Sequence, residues 1–414
     1  MQKTQAQTKN NFSTLPKIVF LFGLFMNAVG HSYLIISFPN LAREMGFSDS
    51  HGGMILGLGA LGFLLAAPIW GFISEKIGRR PVLVIGLLAA SIVPFIYGQL
   101  FSMRLEDSLS LSLAFSLIIF IRVLQALSTG GILPSAQAFI ADQTTDKKRI
   151  NGMGLLAAAF GLGTIAGSSL LWAISSLSII LGFYIIASFT GITTLLNMLL
   201  VKDAALSTKQ NFKQESTIPW SKIWPCFLIT TLGVTCYTLL NHVTGLHLQD
   251  LFKLEAEQAS KEAGKLLTFT AITMILMQAI ILQKVKFPPV RFMQIGALLA
   301  LFGFFSLSYF KDYQLIIISM ISLGGALGLV LPANLALLSL NSNGKVQGKV
   351  AGINAMGQGF GFALGPIMGG NLYQINTSYP YLLSALIALV IFSLSFKFQM
   401  REETDHQSAK TQQT

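Results

Sequence analysis

Arg122 and Gln125 are well placed for binding chemistry, because they lie one helical turn apart within the apolar stretch 112–141. A charge near the centre of a bilayer costs about 2.5–3.5 kcal/mol on insertion scales, so Arg122 is expected to face a protein interior rather than lipid. A guanidinium in such a place can hold a carboxylate through two parallel hydrogen bonds. It can also serve structure alone, by bonding polar groups of a neighbouring helix, and both interpretations stay open at this point.

Asn27 and His31 lie one turn apart in the first apolar stretch, 17–38, and therefore share a helix face. The unperturbed pKa of histidine is near 6.5, which makes His31 the candidate for carrying a proton. The alternative is a histidine that packs and forms hydrogen bonds inside the bundle. Together with Arg122 and Gln125, these side chains predict a polar region where the first and fourth stretches meet.

Further polar side chains interrupt other apolar stretches, and each is either a group that bonds substrate in a cavity or a contact between helices. Besides Asn27, His31, Arg122 and Gln125, we take as candidates for substrate binding Tyr33, Tyr237, Asn241, His242, Gln278 and Asn334. No acidic residue lies near the centre of a stretch, which favours an anionic or neutral polar substrate over a cation. The sequence shows no nucleophile paired with a base, no metal-ligand cluster and no cofactor motif, so it predicts neither an enzyme nor a bound metal or cofactor.

The composition indicates a membrane protein whose helices position these groups. Hydrophobic residues make up 53% of the 414-residue chain and charged residues 11%, against about 25% charged in soluble domains. The mean hydropathy is +0.65. A spanning helix needs about 20 apolar residues. The sequence predicts twelve spans: 17–38, 51–73, 82–103, 112–141, 150–173, 177–200, 221–246, 263–283, 291–309, 313–340, 347–371 and 379–397.

A glycine pattern occurs twice, with an offset of 198 residues. The two copies are Gly154, Gly161, Gly163, Gly167 and Gly352, Gly359, Gly361, Gly365. Small residues at this spacing let membrane helices pack closely. The repeat predicts two six-helix halves, 17–200 and 221–397, joined by a linker at 201–220 and flanked by tails at 1–16 and 398–414. Such repeated halves are typical of transporters whose pathway lies between them.

Positive charge is distributed unevenly between the two sides of the predicted bundle. Of 28 Lys and Arg residues, 21 fall on the side that holds both termini and six on the opposite side. By the positive-inside rule, both termini are cytoplasmic and the protein lies in the cell inner (plasma) membrane. The net charge of +11 then reflects topology and contact with membrane lipid rather than nucleic-acid binding. We expect a monomer.

Four motifs carry a resemblance to a known family. They are Gly71-Phe-Ile-Ser-Glu75-Lys-Ile-Gly78-Arg79-Arg80-Pro81 after the second span, Arg122-Val-Leu-Gln125-Ala126 in the fourth, Gly154…Gly163…Gly167 in the fifth, and Gly352…Gly361…Gly365-Pro366…Gly369 in the eleventh. With these motifs the chain resembles the major facilitator superfamily over nearly its whole length. Within that superfamily it is most similar to the twelve-helix drug/proton antiporters, especially the tetracycline efflux pumps.

The resemblance implies an all-α fold of two pseudo-symmetric six-helix bundles, with a gate at the loop after the second span. Glu75 would approach the N-terminus of the eleventh helix, where partial positive charge favours a carboxylate. Arg79 and Arg80 would bind lipid phosphate or pair with Glu75 and Asp142. The alternative interpretation is that the positive charges of this loop only set the orientation of the helices in the membrane. The glycines of the fifth and eleventh helices would serve close packing and the rocking of the two halves.

The chain departs from the family pattern where proton coupling is concerned. Asn27 stands where the tetracycline pumps carry a membrane-embedded Asp, and Ser168 follows Gly167 where the antiporters carry proline. The expected Gly-Pro pair occurs instead in the eleventh span, as Gly365-Pro366.

We therefore predict a secondary active transporter that moves a small anionic, polar or amphiphilic organic molecule by alternating access. Drugs and siderophore-like metallophores belong to this substrate class. The resemblance implies proton-coupled efflux. An importer of a nutrient or siderophore with the same fold is the alternative. A non-transporting membrane sensor is the alternative from another class, although the polar segments are short for a soluble sensing module.

Overall fold

The computed structural model describes residues 14–143, 146–201, 220–341 and 347–411, and nearly all of them are helical. Helices suit a bilayer because they satisfy every backbone polar group within one segment. In chain order they are α1 (Thr14–Glu44), α2 (Asp49–Ile77), α3 (Arg79–Leu105), α4 (Leu111–Thr129), α5 (Ile132–Gln143), α6 (Asp146–Ile174), α7 (Ile179–Leu200), α8 (Trp220–Phe252), α9 (Ala256–Leu276), α10 (Leu282–Lys284), α11 (Pro289–Tyr309), α12 (Tyr313–Leu340), α13 (Gln347–Ile375) and α14 (Tyr379–Thr411). A π-helical turn, Met277–Ile281, joins α9 to α10.

Eleven helical segments in the described part of the chain are long and apolar enough to cross a membrane. α4 and α5 together form one of them, Leu111–Ile140, and α9 with the π-helical turn forms another, Ala256–Ile281. α13 has the length of a twelfth span, 29 residues, but its glycines and amides reduce its hydropathy. The all-α membrane fold predicted from the sequence is confirmed, although α13 is not among the eleven segments.

Several helices run past the predicted limits of the apolar stretches. α8 ends at Phe252 rather than at 246, and α14 continues through the predicted tail to Thr411. Backbone hydrogen bonding continues into polar sequence where no proline stops it, so a helix is longer than the part that spans the membrane. Residues 1–13 of the predicted N-terminal tail and 202–219 of the predicted linker lie outside the described residues.

The connections between helices define two faces of the bundle. The terminal face holds the start of α1, the α2–α3 turn and the end of α7. The far face holds the turns that precede α2, α4, α7 and α12. On the far face, Ser48 Oγ accepts a hydrogen bond from His51 N at 3.3 Å, and Asp312 Oδ1 accepts one from Gln314 N at 2.9 Å. These caps satisfy backbone donors that a helix start leaves free, and so help to fix where the helices begin.

The two halves repeat one packing pattern. In the first half α6 packs on α1, α7 on α3 and α4 on α2, whereas in the second α13 packs on α8, α14 on α11 and α9 on α12. Helices in equivalent places of the repeat therefore make equivalent contacts. Between the halves, α2 packs on α13 and α6 packs on α9. We call these two contacts the α2–α13 seam and the α6–α9 seam.

The glycines of the repeat lie at equivalent helix contacts. A Cβ on Gly163 would come within 2.7 Å of a side chain of α1, and a Cβ on Gly361 would come within 2.6 Å of a side chain of α8. Gly167 and Gly365, one turn further along, also lie against α1 and α8, and Gly369 lies against α8. A larger residue at these positions would push the helices apart, so the repeated glycines determine how closely α6 and α13 pack within their halves.

Candidate substrate site and gates

The Arg122 side chain is buried among α2, α3 and α4, with 2% of the residue exposed. It crosses Gly59 of α2 so closely that a Cβ there would lie 2.5 Å from the arginine Nε. The Nη1 group donates to Gln125 Oε1 at 2.8 Å, and the Tyr97 hydroxyl donates to the same oxygen at 3.4 Å. The Nε has no hydrogen-bond partner among the described residues. Neutral groups therefore hold the guanidinium in place, and its buried Nε–H has no acceptor among the described residues.

Arg122 also lacks a negative partner, because no described carboxylate lies within ion-pair distance of it. Burying a charge without compensation is costly, which is why buried charges in proteins are normally paired. An anionic group that enters this region would supply both the missing charge and an acceptor for the free Nε. The arrangement therefore favours binding of an organic anion.

His31 lies at the junction between the two halves. Its ring packs edge-on against Phe63 of α2, with ring centroids 5.9 Å apart, and against Phe362 of α13, with centroids 6.1 Å apart. His31 and Arg122 are close enough for their charges to interact. Asn27 is half-buried on the same face of α1, one turn nearer the terminal face. The structure thus places His31 where the halves meet and Arg122 close to it within the first half.

Two other candidates lie away from this region, each inside one half. Tyr33 is buried, and its hydroxyl donates to Ile179 O at the start of α7 at 2.6 Å. Asn334 donates to Cys226 O and to Thr230 Oγ1, both at 2.8 Å, and so joins α12 to α8. Both side chains are directed toward helices of their own half, because the packing partners of a helix decide its rotation about its axis. Sequence spacing alone does not give that rotation.

Three candidates lie along α8. Asn241 Nδ2 donates to Tyr237 O at 2.7 Å, so this amide is satisfied within its own helix, and the Tyr237 side chain is half-buried. His242 is fully buried nearer the far face, against Gly52 of α2 and Gly369 of α13. Neither of its ring nitrogens has a hydrogen-bond partner in the described chain. His242 therefore contacts a helix of the first half, α2, as well as α13 of its own half.

Gln278 lies in the π-helical turn Met277–Ile281, where it is half-buried. Such turns inside α-helices are frequent at functional sites. The turn begins just beyond Ile275, the α9 residue whose side chain lies 3.9 Å from a Cβ position on Gly161 of α6. Gln278 follows one turn later, so it lies beside the part of the α6–α9 seam nearer the terminal face.

The half of the α2–α13 seam nearer the far face is closed. A Cβ on Gly53 of α2 would lie 3.3 Å from Gly370 Cα of α13. Further along the seam, a Cβ on Gly359 would lie 2.7 Å from Leu64 Cδ1. These contacts share one register along the antiparallel helices, and they leave no room for larger side chains at the glycines.

Toward the terminal face both seams open. Continuing in the same register, Gly71 of α2 lies opposite Gly352 of α13, yet no atom of another described helix lies within 4 Å of either Cβ position. In the α6–α9 seam, a Cβ on Gly264 would lie 2.8 Å from Trp172 N, whereas a Cβ on Gly154, near the terminal face, would have no atom of another described helix within 4 Å. Because the two equivalent seams separate at the same end, the halves enclose a cleft that is sealed at the far face and open at the terminal face.

The loop motif Gly71–Pro81 lies at the open end of the α2–α13 seam. Glu75 is exposed there. It forms no ion pair with any described residue. Gly78 ends α2 with φ of 101°, a backbone conformation that favours glycine, and its N–H donates to Ser74 O at 3.2 Å. The turn between α2 and α3 is therefore well defined while the carboxylate that the family resemblance assigns to a gate stays unengaged.

The two arginines of the motif are held within the first half. Arg79 donates to Ser74 Oγ at 2.6 Å, and Arg80 donates to Met198 O at the end of α7. In this conformation Glu75 is exposed and forms no ion pair with either arginine, so the pairing stays a prediction. The Asp142 side chain lies outside the described residues, so its part in the gate stays a prediction.

A charged cluster on the far face was not singled out from the sequence. Arg43, Asp49, Asp250 and Tyr373 meet there, where α1, α2, α8 and α13 come together. A signal for part of this cluster was present, since Arg43 and Asp250 stand near the ends of the first and seventh helices, which are equivalent in the repeat. The two-fold relation between halves brings equivalent helix ends close to each other.

Comparison with known sequences gives matches along almost the entire chain. A model of the Major Facilitator Superfamily matches residues 20–310 and 260–414. Multidrug resistance protein 2 of Bacillus subtilis (strain 168) is 25% identical over 401 residues, covering 93% of this chain and 95% of that protein. Quinolone resistance protein NorA of Staphylococcus aureus (strain COL) is 21% identical, covering 93% of this chain and 98% of that protein.

Solved structures share the arrangement of helices. The human organic anion transporter MFSD10 (TETRAN) has a TM-score of 0.66 and 17% identity, covering 92% of this chain and 98% of that one. The nucleoside transporter NupG has a TM-score of 0.71 and 14% identity, covering 94% of this chain and 99% of that one. At these identities the likeness establishes the fold alone.

Proposed function

Because the chain belongs to the major facilitator superfamily, a family of secondary transporters, we propose that it exports small organic molecules across the plasma membrane by alternating access. It is a multi-pass membrane transporter and not an enzyme. Export is supported by the relatives described above, which are named as multidrug and quinolone resistance proteins and align along nearly their whole length.

The distribution of positive charge supports a cytoplasmic terminal face, since that side carries 21 of the 28 Lys and Arg residues. In this orientation the cleft opens to the cytoplasm, the side from which an exporter takes up its substrate. The closed parts of the α2–α13 and α6–α9 seams, which lie nearer the far face, then separate the cleft from the outside.

The substrate class follows from one observation, the burial of Arg122 without a carboxylate partner among the described residues. A carboxylate or similar anionic group would pair with the guanidinium and accept from its free Nε. His31, Phe63 and Phe362 offer ring surfaces at the junction of the halves. We therefore propose anionic or amphiphilic organic molecules as substrates, among them carboxylate-bearing drugs and metallophores.

We propose that a proton gradient drives the export. Carboxylates in the described spans stand near helix ends, so we take as the proton carrier near the site a histidine, the residue type whose unperturbed pKa is near 6.5. His31 is the candidate, because it lies beside Arg122 where the halves meet. Replacing His31 with Gln is expected to remove the dependence of export on the pH gradient, because glutamine cannot take up a proton. Export rates of the variant with and without a gradient check this, and His51→Gln on the far face is the control.

A test of export uses the purified protein in liposomes, an imposed pH gradient and a fluorescent quinolone as the carboxylate-bearing probe. The expected result is movement of the probe against the direction of proton flux, lost when a protonophore collapses the gradient. Movement in the same direction as the protons would make the protein an importer. No movement of any carboxylate-bearing or amphiphilic probe would favour a non-transporting sensor.

Glu75 is expected to matter in the opposite conformation, in which the open ends of the α2–α13 seam come together. It would then meet the first turn of α13, which begins at Gln347. A carboxylate at a helix N-terminus contributes about 0.3–1 kcal/mol, so Glu75→Gln should slow transport roughly two- to fivefold. Initial rates in liposomes measure the effect. Glu106→Gln, an exposed change on the far face, is the matched control. Equal losses in the two variants would contradict a gate at Glu75.

A further inference from the structure

We propose that Arg43, Asp250 and Tyr373 form a latch that holds the far face closed and parts each time the far face opens. The proposal rests on the alternating access proposed above and names residues on which one of its two states depends. The latch lies at the far end of the closed seam, about as distant from the open loop motif as the membrane is thick.

Arg43 makes paired contacts with a carboxylate of each half. Within the first half, Nε donates to Asp49 Oδ1 at 2.6 Å and Nη2 donates to Asp49 Oδ2 at 2.9 Å. Across to the second half, Nη1 donates to Asp250 Oδ1 at 2.8 Å and Nη2 donates to Asp250 Oδ2 at 3.1 Å. The planar guanidinium suits this role, because it can serve two carboxylates at once with fixed geometry.

Tyr373 of α13 completes the cluster from the second half. Its hydroxyl donates to Asp250 Oδ2 at 2.9 Å, and the centre of its ring lies 5.5 Å from the Arg43 guanidinium carbon. Gln249 Oε1 accepts from Arg43 Nη1 at 3.3 Å and from Asn40 Nδ2 at 3.2 Å. The cluster therefore links α1 and α2 of one half to α8 and α13 of the other.

The partners are divided so that the latch can open without isolating a charge. When the halves separate, Arg43 keeps Asp49, which belongs to its own half, and Asp250 keeps the Tyr373 hydroxyl, which belongs to the other half. Breaking a pair is most costly when it leaves one charge buried without compensation. Here only the contact between the halves is lost, so the closed and open states can lie close in free energy, as a transport cycle requires.

The latch is continuous with the α2–α13 seam. The backbone carbonyl of Asp49 lies against Gly370, and Ser50 Oγ donates to Asn371 Oδ1 at 2.6 Å. Release of Asp250 from Arg43 would therefore accompany separation of α2 from α13 at the far face.

The other ion pairs found on the far face among the described residues do not join the halves. Arg104 Nη1 lies 2.6 Å from Asp107 Oδ1, and both belong to the first half. Lys265 Nζ lies 2.5 Å from Glu262 Oε2, and both belong to α9. Arg104 thus provides a matched control, an arginine on the same face whose ion pair is confined to one half.

The test measures opening of the far face directly, by the rate at which a thiol at position 42 reacts with a membrane-impermeant maleimide. Ala42 is 2% exposed and lies 3.7 Å from the Cβ position of Gly52, which is itself 3.8 Å from His242 Cε1 of the second half. We therefore expect Ala42→Cys to be shielded while the halves are together at the far face. The two native cysteines, Cys226 and Cys236, are buried and are replaced by Ser to remove background. Labelling is measured from outside, in cells, without substrate.

Arg43→Gln and Asp250→Asn are expected to raise the labelling rate about three- to tenfold, a range set by partial exposure of the pair, 22% and 40% for the two side chains. Arg104→Gln should leave the rate unchanged. The double change Arg43→Asp with Asp250→Arg should restore slow labelling, because the new arginine can bind both Asp49 and the new aspartate.

Unchanged labelling in Arg43→Gln and Asp250→Asn, or an equal rise in Arg104→Gln, would overturn the latch. A double charge exchange that labels as fast as the single variants would also count against it. Labelling requires neither substrate nor gradient, so this outcome is separate from that of the export assay. If the probe is not exported while labelling responds as expected, the proposed function fails and the latch stands.

Discussion

Replacing Arg122 with alanine is expected to reduce transport of a carboxylate-bearing substrate by roughly 10- to 150-fold while the protein stays folded. Hydrogen bonds to charged groups contribute about 1.5–3 kcal/mol, and each 1.4 kcal/mol is a factor of ten in binding. Folding should tolerate the change, because Arg122 has no ionic partner among the described residues that its loss would strand. Binding and initial rates in liposomes measure the effect, and thermal stability in detergent reports folding.

Arg122→Lys separates charge from geometry. Lysine keeps the positive charge but cannot make the two parallel hydrogen bonds of a guanidinium, so it should bind the anion with intermediate affinity. A neutral amide analogue of the same substrate should be transported about equally by the parent protein and by both variants. Full transport of the carboxylate by Arg122→Ala would refute a substrate-binding role for this residue.

Gly53→Val is expected to abolish transport by preventing the far face from closing. A Cβ at Gly53 would overlap the backbone carbonyl of Pro366 and lie 3.3 Å from Gly370 Cα. Backbone atoms of α13 cannot move aside as a flexible side chain can, so the helices must separate. The thiol at position 42 should then react quickly from outside, and cycling should stop in the conformation open at the far face.

Gly71→Val is the matched change at the other end of the same helix. No described neighbouring helix has an atom within 4 Å of the Gly71 Cβ position, so valine fits the conformation described here. It should obstruct the opposite conformation, in which this end of α2 must approach α13. Transport should therefore fail in both glycine variants, with fast outside labelling in Gly53→Val and slow labelling in Gly71→Val. The same labelling rate in both would contradict the proposed rocking of α2 against α13.

Much of the fold could be predicted from the sequence, because its determinants repeat along the chain. Long apolar stretches leave the backbone no alternative to helix in a bilayer. The 198-residue offset between glycines predicted matching halves, and Gly163 and Gly361 do lie at equivalent contacts, against α1 and α8. These features depend on local composition and on the 198-residue repeat, and both can be recognised in a single sequence.

The site was harder to predict, because it depends on helix rotation and on how the halves meet. Tyr33 and Asn334 are polar residue types that suit a cavity, but their side chains point into their own halves, toward Ile179 and Thr230. The contact between Arg43 and Asp250 joins residues 207 positions apart. No local pattern encodes such a contact, although the equivalence of the two helix ends offers a partial signal.

On the terminal-face side of Leu64 and Gly359, α2 and α13 separate, and this has a pharmacological consequence. A compound that wedges into the space between Gly71 and Gly352 would keep these helices apart and arrest the protein with its cleft open at the terminal face. It would not compete with substrate for Arg122, so raising the substrate concentration would not relieve the inhibition. Resistance to such a compound would arise at the glycines of the seam rather than in the residues that bind the substrate.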